Sequence, residues 1–175
     1  MSRDLNLKIL SYYKKSTMKK LIKIFGSDSV FLFPNSKVVG LSYNHQDRKL
    51  RSVFEKIPFK ETQQLYITPP HFIKIIFNLV TLGIRPNLEI STELPDDVKQ
   101  DFDRIIHYLY RQKDLYALEQ LEQKLDEIEE EYGASLVSIS YVNNQKRNSL
   151  RANGILFTDP TSIDLIDQIL TLRGL

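Results

Sequence analysis

One segment constrains the fold more than any other. Between Pro70 and Gly83 the chain places Phe72, Ile73, Ile75, Ile76, Phe77, Leu79, Val80 and Leu82. Thr68-Pro69-Pro70 precedes it, with Thr68 as an N-cap and proline in the first turn, and Gly83 ends it. The helix this predicts is apolar on nearly every side, and such a helix is buried between layers. Lys74 interrupts it, and it falls far short of the roughly 20 apolar residues that a membrane span needs. The chain must therefore wrap other elements around this segment.

Those elements read as a mixture of helices and short strands. Asp4 to Phe25 reads as a helix closed by Gly26, with Met18, Leu21, Ile22 and Phe25 on one face and Ser16-Thr17 as a potential break. Val30–Phe33 and Lys37–Tyr43 flank Pro34-Asn35-Ser36 and predict a β-hairpin. Gln46–Lys56 reads as a short helix, Gln64–Ile67 as a strand, and Asn87–Ser91 as a further strand. An acidic helical stretch opens at Pro95 and closes at Gly133. Its apolar stripe loses register at Gln112-Lys113-Asp114, which fits either one kinked helix or two helices with a new cap at Asp114. Leu136–Val142 alternates, residues 143–149 form a polar loop, and Leu150–Phe157 returns with a bulge at Asn153-Gly154. Asp159-Pro160 caps a terminal amphipathic helix. The expected class is α+β: antiparallel β-hairpins packed on helices, with a long acidic helix leading to a C-terminal β-hairpin and a terminal helix.

Charge is distributed unevenly along this pattern. Residues 1–92 hold 15 Lys and Arg against 6 Asp and Glu, a net of +9. Residues 93–132 hold 5 against 13, a net of −8, and residues 133–175 hold 4 against 3. The composition shift near Ser91–Pro95 suggests a basic α+β half, 1–92, and a second half, 93–175, or else one continuous domain. Such asymmetry marks either a polyanion-binding face or an internal electrostatic match.

Motifs for catalysis are missing. The six glycines are ungrouped, which excludes a P-loop and a dinucleotide fingerprint. No cysteine is present, so thiolate and disulfide chemistry are excluded. His45, His71 and His107 lack metal-ligand spacing, and no serine sits in a nucleophile elbow. The pairs His45/Asp47 and Asp103/His107 read as solvated or capping pairs. The sequence implies no catalytic residue, no metal and no cofactor, and an enzyme with a dispersed site ranks third among the readings.

Two interaction signals remain. Leu118, Leu121, Leu125 and Ile128 run along the acidic helix at heptad spacing for about two heptads, which suits packing against the chain's own core or, as the sharper alternative, a seam with a protein partner or a second copy of the chain. The first expectation is accordingly a non-enzymatic protein-binding or assembly module, an accessory or regulatory subunit of a larger complex. The second signal is basic: Lys15, Lys19 and Lys23 on the first helix, Arg48, Lys49 and Arg51 on the next, and Lys146, Arg147 and Arg151 around the C-terminal hairpin. Phosphate neutralisation uses clusters of this kind. The alternative is therefore a nucleic-acid-binding accessory protein using the basic N-terminal half and the loop 143–151. Nothing resembles a signal peptide or a membrane span, so the expected setting is soluble and intracellular, cytoplasmic or nuclear.

Overall fold

The computed structural model describes residues 4–44 and 49–171. Its contacts divide the chain into two compact units, one formed by Met1–Tyr66 with Asn148–Leu175, the other by Ile67–Arg147. This division runs elsewhere than the boundary near residue 92 suggested by charge, yet it sorts charge as well. The first unit has 15 Lys and Arg against 8 Asp and Glu, a net of +7, and the second has 9 against 14, a net of −5.

The first unit is built around β1 (Leu5–Tyr12). This strand replaces the first half of the helix expected over Asp4–Phe25. Leu7, Ile9 and Leu10 are all fully buried, because β1 is interior and both its faces are covered. A doubly covered strand reads as a continuous apolar run, and periodicity alone does not separate such a run from a helix. The break falls at Tyr13-Lys14, and α1 (Lys15–Phe25) follows. The hairpin β2 (Val30–Phe33) and β3 (Val38–Tyr43) forms as expected, with Val30 opposite Leu41 and Phe33 opposite Val38.

On one edge β1 pairs antiparallel with β3, Asn6 opposite Tyr43. Its other edge is shared. The first half pairs with β8 (Ile155–Thr158) and the second half with β4 (Thr62–Gln64). Between β3 and β4 lies α2 (Leu50–Phe54), shorter than the helix expected over Gln46–Lys56, since Lys49 is extended before it and residues 55 and 56 form a turn after it; residues 45–48 lie outside the described residues. Leu10, Leu21, Phe25, Val39, Leu41 and Val53 form a core between the sheet and α1 and α2. Leu7 and Phe33 pack over Gly40, where an added Cβ would lie 3.0 Å and 3.2 Å from them. The last described elements are a 3-10 turn, Pro160–Ser162, capped by Asp159, and α6 (Ile163–Leu170), which packs on β2.

The second unit centres on α3 (Pro69–Thr81). Phe72, Ile75, Ile76, Leu79 and Val80 are buried, as an all-round apolar helix requires. Thr68 caps it. The Thr68 N–H donates to His71 Nδ1 at 3.2 Å, so His71 fills the place that Glu or Gln takes in a capping box. After β5 (Asn87–Ile90) the acidic stretch forms two helices, α4 (Asp96–Gln112) and α5 (Leu115–Tyr132), not one long helix. Lys113 turns left-handed at φ 56°, and the Asp114 side chain accepts from the Ala117 N–H at 2.8 Å. The loss of stripe register at 112–114 is therefore a stop and a new cap.

Strand β6 (Leu136–Asn143) pairs antiparallel with β5. The expected polar loop 143–149 is instead a two-residue turn followed by β7 (Lys146–Arg151). Asn144 and Gln145 have φ of 48° and 62°, the geometry of a tight hairpin turn. The C-terminal segment thus contributes three strands, β6, β7 and β8, before its helix.

Candidate nucleic-acid interface

The basic surface of the first unit starts at α1. Thr17, Leu21 and Phe25 point inward and are buried. Lys15, Lys19 and Lys23, spaced four apart, therefore lie on the outer face, and all three are exposed. No acidic residue sits in the first turn of this helix. The lysines form a continuous cationic row with no carboxylate on its own helix to offset it.

Beside the start of α1 lies a pocket of about 400 Å³ lined by Tyr13, Lys14, Thr17, Lys20, Lys60 and Glu61 together with Ser16. Glu61 organises it. Its carboxylate accepts from Thr17 Oγ1 at 3.2 Å and pairs with Lys20, and the Lys20 hydrogen bond, followed by the charges around it, holds its pKa below the ordinary carboxylate range. The Tyr13 N–H bonds to the Glu61 carbonyl, and Tyr13 Oη donates to Gln63 Oε1 at 3.1 Å. Three lysines thus face one carboxylate. Tyr13 stands 66 % exposed beside them, and Phe59 next to Lys60 is 56 % exposed.

The remaining basic candidates do not join this group as a set. Lys49 is exposed, Arg51 bonds Glu55 at 3.1 Å on its own helix, and Arg48 lies outside the described residues. Lys146 is half-buried on β7, Arg147 lines a cleft of the second unit, and Arg151 is exposed with its charge acting on Tyr43. The leucine stripe is spent within its own unit. Leu121, Leu125 and Ile128 are buried and Leu118 is half-buried, in a helix that packs on α3 and α4.

Sequence reasoning missed Tyr13, Lys60 and Glu61. A local signal existed, since Tyr12-Tyr13-Lys14-Lys15 and Phe59-Lys60 both set aromatic residues against lysine. What joins the two runs is the pairing of β4 with β1, Tyr12 opposite Thr62.

Among the described residues no three metal-ligating side chains converge, and no helix is long and apolar enough to cross a membrane. No protein family, curated protein or solved structure matches this chain.

Proposed function

We propose that the protein is a non-enzymatic nucleic-acid-binding accessory protein, whose basic unit holds a single strand along α1. The observation that carries this reading is the pocket where Lys14, Lys20 and Lys60 meet the exposed ring of Tyr13. Single strands are bound by cationic grooves that follow the phosphates and by aromatic faces on which bases stack. Lys15, Lys19 and Lys23 extend the cationic path from the pocket along the helix. The net charge of +7 on this unit favours approach of a polyanion.

Fluorescence anisotropy with a labelled single-stranded oligonucleotide tests it. Affinity falls steeply between about 50 and 200 mM salt, with a log–log slope of about −0.7 per phosphate contact. Changing Lys15, Lys19 and Lys23 to Ala flattens the slope. Tyr13→Ala weakens binding by about 1–3 kcal/mol with the slope retained, since stacking carries no counterion release. Absence of binding at the lowest salt rejects the reading.

A protein-docking module is the second reading. Its support is the start of α5, where Leu115 and Tyr116 are 66 % and 61 % exposed. Leu115→Lys with Tyr116→Lys would then abolish capture of a protein partner at an unchanged melting temperature.

A further inference from the structure

The unit Ile67–Arg147 holds a second cleft, of about 710 Å³, within the size range of small-molecule sites. Three places build it. The segment between α3 and β5 supplies Arg85, α4 supplies Asp103 and Tyr110, β6 supplies Tyr141, and the start of β7 supplies Arg147.

Two observations single this cleft out. Arg85 and Arg147 have no ion-pair partner among the described residues, although their unit carries an excess of carboxylates. Tyr141 is 5 % exposed, and its hydroxyl has no hydrogen-bond partner among the described residues. A buried hydroxyl without a partner is costly, and such groups in folded proteins call for an explanation. Burial also raises the Tyr141 pKa, so the phenol keeps its proton and remains a donor. Beside it Tyr110 is fixed, its hydroxyl donating to the Gly83 carbonyl at 3.1 Å. Asp103 on the same wall has no ion-pair partner either, and a carboxylate in that place accepts from a hydroxyl.

We propose that this cleft binds a small phosphate monoester bearing hydroxyl groups, a sugar phosphate or a nucleoside monophosphate. Two guanidinium forks match the charge of a phosphate dianion, and its terminal oxygens provide acceptors for both, while the Tyr141 phenol is left to donate to an oxygen elsewhere on the ligand. A carboxylate, with one charge and two oxygens, would leave one arginine unmatched. Asp103, also on the lining, takes a ligand hydroxyl and disfavours a ligand that is anionic throughout. The site lies on a different unit from the strand-binding surface and does not depend on it.

Calorimetric titration of the full chain with ribose 5-phosphate, a nucleoside 5′-monophosphate, inorganic phosphate, ribose and succinate tests the proposal. Saturable binding of one monoester, tighter than inorganic phosphate and absent for ribose, is the expected result, and the tighter of the two monoesters identifies the source. Arg85→Gln and Arg147→Gln each weaken it by about tenfold or more, the loss expected for a charge-assisted pair. Tyr141→Phe weakens it too, while the melting temperature of the unliganded protein stays level or rises, because the hydroxyl has no partner to lose. The proposal falls if neither monoester binds, if succinate binds equally well, or if both arginine variants bind unchanged. It falls equally if Tyr141→Phe lowers the unliganded melting temperature, since the hydroxyl would then be satisfied within the fold.

Discussion

Ser36 donates both its backbone N–H, at 3.1 Å, and its hydroxyl, at 2.9 Å, to a single carboxylate oxygen of Asp167. The other oxygen accepts from the Asn35 N–H at 3.1 Å and from Asn35 Nδ2 at 2.8 Å. Asp167 lies on α6 and is 3 % exposed, so the last helix carries a nearly dry carboxylate that fixes the turn between β2 and β3. Four donors offset the desolvation of that charge. Asp167→Ala removes the acceptor of three of these donors, the Ser36 hydroxyl keeping the Phe33 carbonyl at 3.2 Å, and costs about 2–4 kcal/mol in urea unfolding. Asp167→Asn, which exchanges one acceptor oxygen for a donor, costs less. An unchanged denaturation midpoint for Asp167→Ala would mean that the turn does not depend on the helix.

Gly154 stands where two strands share one edge of β1. The Ile9 N–H bonds to the Gly154 carbonyl at 2.9 Å, and the Leu65 N–H bonds to the Ile9 carbonyl at 3.3 Å. At φ 70° a Cβ on residue 154 would lie 2.1 Å from the Leu65 carbonyl oxygen. Backbone cannot yield as a flexible side chain can. Gly154→Ala adds left-handed strain of about 1–2 kcal/mol to that clash and is expected to lower stability by more than about 2 kcal/mol in total. Gly133, with φ 60° and open space around its Cβ position, is the control. Gly133→Ala should cost only the backbone term.

Lys8 is 2 % exposed, its ammonium bonded to the Asn153 carbonyl and lying 5.8 Å and 5.4 Å from the ring centres of Phe54 and Tyr66. Desolvation lowers its pKa below the ordinary 10.5. Between the folded value and 10.5 the unfolded chain holds the proton that the folded chain has released. Stability therefore rises with pH across that window. Tyr43 and Tyr141 act in the opposite sense, because burial raises both phenols, and stability falls as pH climbs above the ordinary tyrosine value of 10.0. Chemical denaturation across this range should show the alkaline rise in the native protein and its loss in Lys8→Met. A rise that survives the substitution would assign it to another group.

Lys8 also explains part of what the sequence concealed. A lysine between Leu7 and Ile9 argues against a buried strand, and nothing local reveals that Asn153, Phe54 and Tyr66 accommodate it. Similarly, Lys146 to Ser149 contains nothing apolar, yet it forms most of β7. Asn148 is fully buried there and accepts from Thr158 Oγ1 at 2.6 Å. That contact comes from β8, ten residues away, and no alternation pattern announces it. Where apolar periodicity governs burial, as in α3 and the β2–β3 hairpin, reading and structure agree. The lysine row on α1 was legible for the same reason, since four-residue spacing defines a helix face. Its pocket was not, because Lys60 and Glu61 reach α1 only through the pairing of β4 with β1.

The apolar character of α3 supplies the sharpest stability test. Ile76 is fully buried, and the helix packs on α4, α5 and β6. No cation is paired with any residue of α3 in the salt bridges of the described residues, and its one lysine, Lys74, is half-buried. A carboxylate at position 76 would have to be buried unpaired or take up a proton. Ile76→Asp is therefore expected to cost more than about 4 kcal/mol, enough to unfold a marginally stable unit. Ile76→Val removes one methylene group and should cost about 0.5–1.5 kcal/mol, which separates the effect of charge from that of volume. Thermal melting followed by circular dichroism reads both. Raising the acidity should restore part of the stability of Ile76→Asp, because protonation removes the buried charge and leaves only the volume defect and a polar group. A wild-type melting temperature for Ile76→Asp would show that α3 can turn this face to water, and the layered packing around it would have to be abandoned.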